Sequence, residues 1–194
     1  MPRRITIIQG HPTSGGGHFC HAVAAAYAKG ARGAGHDVRT IDVATLDFQS
    51  LRSKEEWEAG LPPVPIVDAQ RDIRWANHLV IVYPLWLGAM PGLLKIFLEQ
   101  VLRPGFAMRL ESPGHWTKLL SGRSARIVVT MGMPALVYRW WFGAHSLKSL
   151  KRSVLHFVGI RPCRHTLIGT IETMSEAKRR SWLDSLRALG ASAT

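Results

Sequence analysis

The sequence predicts one α/β domain over residues 1–194, with a doubly wound, five-stranded parallel sheet of order 2-1-3-4-5 and helices on both faces. Short β-branched segments alternate with helical patterns, as parallel sheets require. The segment His78–Tyr83 contains an unbroken apolar run, which is typical of a strand buried on both faces. The chain is 46% hydrophobic, which suits one domain with a substantial core.

The first half of the chain supplies three of the predicted strands. They are residues 3–9, which end at Gly10, then 37–42, and then 78–83. Helices are predicted over residues 18–34 and 66–76 between them. Residues 43–65 are expected to be irregular, because the prolines of Leu61-Pro62-Pro63-Val64-Pro65 disfavour a regular helix.

The second half supplies the last two strands, at residues 126–130 and near 164–170. Pro91 stands where a first helical turn accepts it, so a helix is predicted over 92–102. A Gly- and Pro-containing excursion follows at 103–122. Helices are expected over roughly 145–158 and 174–189.

Ligands of doubly wound sheets bind beyond the carboxyl ends of the strands. The loops at that edge are 10–18, 84–90 and 131–144. In the first loop, Gly15-Gly16-Gly17 would let backbone N–H groups approach a phosphate at a helix N-terminus. Thr13, Ser14, His11 and His18 offer further donors. A plain flexible turn is the competing interpretation.

The second loop, Tyr83 to Pro91, carries Leu85, Trp86 and Leu87 where exposed residues are expected. An apolar wall between prolines suits a flat aromatic ring system, and a buried connection is the alternative. The third loop, Thr130 to His145, contains Tyr138 and His145, the groups best placed to handle a proton. Most single histidines, however, are ordinary surface or core groups.

Composition excludes some functions and leaves others open. Residues 103–194 carry 15 Lys/Arg against 4 Asp/Glu, whereas residues 1–102 carry 10 against 9. A basic half can attract phosphorylated cofactors, nucleic acid or an anionic membrane. No nucleic-acid motif accompanies the charge, so no nucleic-acid partner is expected. Cys20 and Cys163 lack metal-site spacing, so no metal is expected, and a reducing, cytoplasmic compartment is the simpler interpretation.

Three groups of residues resemble a known family when they are taken together in order. They are His11-Pro12 with Phe19, Tyr83-Pro84-Leu85-Trp86 with Pro91-x-Leu93-Leu94-Lys95, and Phe157-x-Gly159-Ile160. The sequence resembles the flavodoxin-fold NAD(P)H:quinone oxidoreductases of the DT-diaphorase type. Their bacterial relatives include drug-activity modulators and ancillary subunits of potassium-efflux channels. The resemblance covers nearly the whole chain.

The resemblance implies an enzyme that transfers hydride from NAD(P)H through a bound flavin to a quinone-like acceptor, and a homodimer. It implies Tyr138 and His145 near the reduced flavin and its acceptor. Lys178 matches a basic position that favours FAD, with FMN as the alternative. The implied flavin-binding residues, together with those proposed from the first loop, are His11, Thr13, Gly17, His18, Phe19, Cys20, Pro84, Leu85, Trp86, Leu87, Thr130, Met131, Gly132 and Met133.

Gly17-His18 replaces the serine or threonine that is usual before the Phe, so backbone groups must bind more of the phosphate. A second functional hypothesis stays open. The stretch from Arg139 to Arg152 is basic and aromatic, which suits a regulatory or ancillary subunit that contacts a membrane surface or a membrane protein. An electron-transfer flavodoxin without turnover is a third hypothesis, although such proteins are usually acidic.

Overall fold

The computed structural model describes residues 1–112 and 114–194. Five of the strands form one sheet in which every pair of neighbours is parallel. Across the sheet their order is β2-β1-β3-β6-β7, so the predicted order 2-1-3-4-5, counted over these five strands, is confirmed. The strands within the described residues are β1 (Arg4–Gln9), β2 (Asp37–Asp42), β3 (His78–Pro84), β4 (Met108–Ser112), β5 (His115–Lys118), β6 (Ser124–Thr130) and β7 (Cys163–Ile168).

Helices cover both faces of the sheet, as predicted. The α-helices within the described residues are α1 (Phe19–Gly33), α2 (Lys54–Ala59), α3 (Val64–Trp75), α4 (Gly92–Val101), α5 (Ala135–Trp140), α6 (His145–Ser149) and α7 (Glu176–Ser192). Helices α1 and α7 contribute to one hydrophobic core with Val80 and Val82 of β3. Helices α3 and α4 contribute to the other with Leu79 and Ile81. Because β3 is buried throughout, its apolar run matches its two covered faces.

Three regions differ from the sequence prediction. Residues 43–65 are not irregular throughout, because α2 forms there with a capping bond from Glu56 N to Ser53 Oγ of 3.1 Å. Helix α3 begins at Val64 and accommodates Pro65 in its first turn, where a missing N–H leaves no bond unmade. The excursion contains the antiparallel hairpin β4–β5. Helix α5 lies within the segment predicted as the third loop.

Helix α6 continues directly into a π-helical segment, Leu150–Leu155, so the prediction of helical structure over 145–158 is largely confirmed. No helix within residues 1–112 and 114–194 is both long enough and apolar enough to cross a bilayer.

Two glycines set the close approach of α1 to α7. A Cβ at Gly30 would lie 1.9 Å from the carbonyl oxygen of Arg187, and a Cβ at Gly190 would lie 2.1 Å from that of Tyr27. Both obstacles are backbone atoms, which a rotamer change cannot move. The packing of these two helices therefore requires glycine at both positions.

We expect Gly30→Ala to lower the free energy of unfolding by roughly 3 kcal/mol, because the added methyl group forces α1 and α7 apart. The matched control is Gly33→Ala at the end of the same helix, where a Cβ meets nothing within 4 Å. That variant should change stability by less than about 1 kcal/mol. Urea unfolding followed by circular dichroism measures both, and equal effects would contradict this account of the packing.

Candidate functional site

Hydrogen bonds bring the three predicted loops together at the carboxyl edge of the sheet. Gly10 N donates to Val82 O at 2.8 Å, which joins the end of β1 to β3. Leu85 N donates to Thr130 O at 2.8 Å, which joins the second loop to the third. The rings of His11 and Trp86 lie 6.3 Å apart at their centroids in an edge-to-face arrangement. The structure thus places residues from all three loops at one site.

The first loop has a backbone that suits an anion. Gly15, Gly16 and Gly17 all have φ between +83° and +86°, a left-handed conformation that strains other residues. The loop leads into α1, whose N-cap residue His18 makes no side-chain capping bond and whose first turn holds no acidic residue. The positive end of the helix dipole is thus not neutralised by its own first turn.

Three histidines pack against one another beside this helix end. The ring centroids of His11 and His18 lie 4.0 Å apart and nearly parallel, and those of His11 and His21 lie 5.0 Å apart. Burial, followed by the proximity of His18, lowers the pKa of His11 below its ordinary value. Both ring nitrogens of His21 are buried without a hydrogen-bond partner in the described residues. Within the same residues, no group of three or more His, Cys, Asp or Glu side chains is arranged to hold a metal ion.

Gln9 holds this loop in place, and sequence reasoning missed it. Its side-chain oxygen accepts from His11 N at 3.1 Å, and its side-chain nitrogen donates to Cys20 O at 3.2 Å. The side chain is buried. A polar residue at the end of an otherwise apolar buried strand was the available signal, because such a side chain needs partners.

The second loop presents a strained apolar surface. Trp86 and Ala89 exchange two backbone hydrogen bonds of 2.9 Å around a tight turn. Leu87 lies in that turn with φ of +46°, a backbone conformation that is unfavourable for any residue with a Cβ. Trp86 is 51% exposed and Leu87 is fully exposed. Backbone strain combined with exposed apolar side chains is a feature of ligand-binding loops.

The third loop is fixed by the chain that follows β7. Thr170 N donates to Met133 O at 3.1 Å, and Ile171 N donates to Met131 O at 3.2 Å. The side chain of Glu172 reaches Gly132, where a Cβ would lie 3.1 Å from its Oε1. Glu172 therefore belongs to the candidate site, and nothing in its sequence neighbourhood indicated this.

Besides His11, four of the predicted flavin-binding residues have buried side chains. Cys20, Thr130 and Met131 are at most 2% exposed, and Pro84 is buried at the end of β3. Without a small change in side-chain conformation, only the backbone atoms of these residues would reach a ligand. Of the remaining predicted residues, Thr13, Gly17, His18, Trp86, Leu87 and Gly132 are exposed, His11 is buried, and Phe19, Leu85 and Met133 are partly buried.

Tyr138 and His145 occupy different environments. Tyr138 is buried, its hydroxyl accepts from Leu147 N at 3.3 Å, and burial raises its pKa. His145 is exposed, and its ring packs beside Gly143. Tyr138 therefore supports the start of α6, which positions His145, and its hydroxyl does not face solvent.

Helix α7 brings Arg179, not Lys178, to the first loop. Arg179 and Leu183 line a surface cavity of about 530 Å³ with His18, Phe19 and His21. The Arg179 guanidinium carbon lies 5.3 Å from the centre of the Phe19 ring. Lys178 is exposed over Trp182. Helical spacing from the buried Leu186 would have selected Arg179, since position 179 lies on the same face.

A family model described as flavodoxin-like fold matches residues 3–189. The chain belongs to this family. Within it, the chain is 28% identical over 147 residues to an uncharacterized NAD(P)H oxidoreductase of Haemophilus influenzae, covering 74% of this chain and 72% of that protein. It is 29% identical over 133 residues to the human ribosyldihydronicotinamide dehydrogenase [quinone], covering 64% of this chain and 57% of the human protein.

Solved structures agree with this fold. The NAD(P)H:quinone oxidoreductase of Methanothermobacter marburgensis matches with a TM-score of 0.81 and 24% identity, covering 98% of this chain and 96% of that one. An FMN-dependent NADH-azoreductase of Bacillus anthracis, solved in complex with FMN, matches with a TM-score of 0.77 and 16% identity, covering 98% of each chain.

We expect both thiols to be unreactive in the folded protein. Both cysteines are free and buried, and burial raises the pKa of Cys20 to about 12 and that of Cys163 to about 11. Because the thiolate is the nucleophile, a chromogenic disulfide reagent at mildly alkaline pH should detect almost no thiol in the native protein. Two thiols per chain should appear after denaturation. Rapid reaction of either thiol in the native state would contradict the structure.

Proposed function

We propose that this protein is a flavin-dependent NAD(P)H oxidoreductase that reduces a quinone-like acceptor. The observation that carries the proposal is the meeting of a helix end that has no side-chain cap with an exposed apolar wall. The His11 and Trp86 rings, 6.3 Å apart, join the two. A phosphorylated molecule with a flat aromatic ring has both of these parts, and a flavin nucleotide is such a molecule.

The residues present fit a flavin on physical grounds. The left-handed glycines and the uncapped start of α1 would hold its phosphate. Trp86 and Leu87 would cover its ring and exclude water. The backbone near Gly132 would meet its polar edge, and His145 would stabilise charge there. A bound flavin supplies the electron-accepting and electron-donating chemistry that protein side chains lack.

The names of the relatives support this proposal, since they include an NAD(P)H oxidoreductase and a ribosyldihydronicotinamide dehydrogenase [quinone]. The FMN complex of the azoreductase supports FMN. Lys178, the residue that favoured FAD, contacts Trp182 and not the first loop. We therefore propose FMN as the flavin to test first, with FAD as the alternative. The cytoplasmic location expected from the sequence stays a prediction.

A homodimer is part of the same proposal. An apolar groove of about 580 Å³ lies between α2, α4 and the segment after α6, and its lining includes Trp57, Leu98, Leu102, Val154 and Phe157. Of these, Phe157 is 42% exposed, and apolar grooves of this kind are common at interfaces between subunits. None of the residues that line the groove belongs to the three loops.

The experiment is to add FMN or FAD to the purified protein and measure which one is retained. NAD(P)H should bleach the visible absorption of the bound flavin, and a quinone should restore it. We expect Leu87→Ala to weaken flavin binding about tenfold, because the apolar wall loses contact area. The matched control is Leu61→Ala, since Leu61 is 93% exposed and lies outside the three loops. Absence of flavin retention together with unoxidised NAD(P)H would refute the proposed function.

One observation favours membrane association as a second candidate function. Trp140, Trp141 and Phe142 are at least 50% exposed, and beside them lies a cavity of about 630 Å³. The cavity lining is basic and contains Arg139, Lys148, Lys151, Arg152, His156 and His165. Exposed tryptophans beside cations suit an anionic membrane surface or an acidic face of a membrane protein.

The structure narrows the surface that would take part. Leu147 and Leu150 belong to the stretch from Arg139 to Arg152 but are at most 4% exposed, so neither side chain can lie along a membrane. They pack into the core because the helix formed by α6 and its continuation covers the sheet. The aromatic side chains at the end of α5 are the apolar groups that remain available.

Sedimentation with anionic phospholipid vesicles tests this second candidate. We expect binding that falls as salt rises, since Debye screening weakens attraction to the surface. The variant Lys148→Glu/Lys151→Glu/Arg152→Glu should lose binding. Lys29→Glu/Arg180→Glu/Arg187→Glu changes the net charge equally at exposed positions of α1 and α7 and should retain most of it. No binding at low salt, or equal loss in both variants, would refute a specific membrane surface.

A further inference from the structure

Three imidazole rings lie close together at the start of α1. A loop that binds phosphate through its backbone N–H groups does not need them. The centroids of His18 and His21 lie 5.7 Å apart, and those of His11 and His18 lie 4.0 Å apart. At such distances a charge on one ring opposes a charge on the next. The cluster therefore favours few protons when no anion is near, and the lowered pKa of His11 agrees with this.

His11 is placed so that either protonation state has a partner. Its Nδ1 lies 3.1 Å from Thr13 N and 3.3 Å from Thr13 O. A neutral ring can accept from the amide, whereas a charged ring can donate to the carbonyl. Gaining a proton at Nδ1 thus exchanges one hydrogen bond for another within the loop.

The other charged and titratable groups near the cluster are few. Asp42, at the end of β2, is the weakest influence on His11 and favours its charged form. Arg179 of α7 lines the same cavity as His18 and His21. The Cys20 thiol is buried beneath the loop, close to Gln9. The second loop, Leu85 to Ala89, contributes no charged side chain.

We propose that the cluster of His11, His18 and His21 takes up a proton when a phosphorylated flavin binds beside it, so that this chain selects phosphorylated flavins most strongly at lower pH. The inference rests on the flavin-dependent function proposed above. A phosphate dianion supplies the negative charge that the cluster lacks and so favours a charged imidazole beside it in the complex. His18 and His21 are thus specificity-determining residues, because they stabilise the bound phosphate and not the flavin ring.

The direction of the pH dependence follows from linkage. Since protons are bound more tightly in the complex, affinity for FMN relative to riboflavin should rise as pH falls from about 8.5 to about 6.5. Below about pH 6 the phosphate dianion itself takes up a proton and becomes a monoanion, so the trend should stop. Riboflavin carries the same ring without the phosphate, so the ratio removes any titration that affects ring binding.

Calorimetry of FMN binding near pH 7.5, in two buffers of different ionisation enthalpy, measures the protons exchanged. We expect uptake of about half to one proton per FMN, because the cluster gains charge as the dianion binds. Phosphate that binds as the dianion to an unchanging site would instead release a small fraction of a proton. The sign of proton exchange in the unmodified protein therefore tests the proposal without any variant.

The variant His18→Asn/His21→Asn should lose most of the uptake and reduce the preference for FMN over riboflavin about tenfold. His115→Asn, at an exposed position of β5, is the control and should leave both unchanged. FMN binding without proton uptake would overturn this inference and leave the proposed function intact. Failure of FMN, FAD and riboflavin to bind at any pH would overturn the proposed function and this inference with it.

Discussion

The central constraint in this protein is the parallel pairing of β3 with β1 on one side and β6 on the other. Pairing runs from Ile5 opposite His78 to Gln9 opposite Val82, and from His78 opposite Ser124 to Pro84 opposite Thr130. Three strands in this register end at the same edge. The loops that follow them must then meet, whatever their own sequences.

The loops differ in how their conformation is maintained. The first is held by Gln9, whose amide joins it to the start of α1. The third is held by backbone bonds from Thr170 and Ile171. The second is a self-contained turn with Leu87 in a strained conformation. Strain is tolerated there because the turn is closed by two backbone hydrogen bonds and anchored to Thr130 through Leu85.

Charge is distributed differently from what net composition indicates. The excess of Lys/Arg lies in residues 103–194. At the candidate phosphate position, however, the available groups are Arg179, backbone N–H groups and three imidazoles. The imidazoles are charged only when they are protonated. The basic cavity beside Trp140 is a separate feature on the other core face, next to β7. One chain thus presents two cationic regions with different chemistry.

Much of the fold could be predicted from local pattern. The strands were found because β-branched runs such as Ile5–Ile8 and Leu79–Val82 are distinct from the helical spacing of Phe19, Val23 and Tyr27. Helix α2 was missed because none of its six residues is buried, so the helix has no amphipathic signal. The hairpin β4–β5 was missed because most of its residues are exposed.

The sequence by itself determined the five strands of the parallel sheet, the three loops that follow three of them and the glycine and aromatic chemistry within those loops, because these depend on periodicity and residue type. Only the tertiary structure decided which side chains face the site. It buried Tyr138 and Cys20, brought Glu172 beside Gly132, and stacked His18 on His11. Those outcomes depend on how elements distant in sequence pack together, and local pattern carries no record of such contacts.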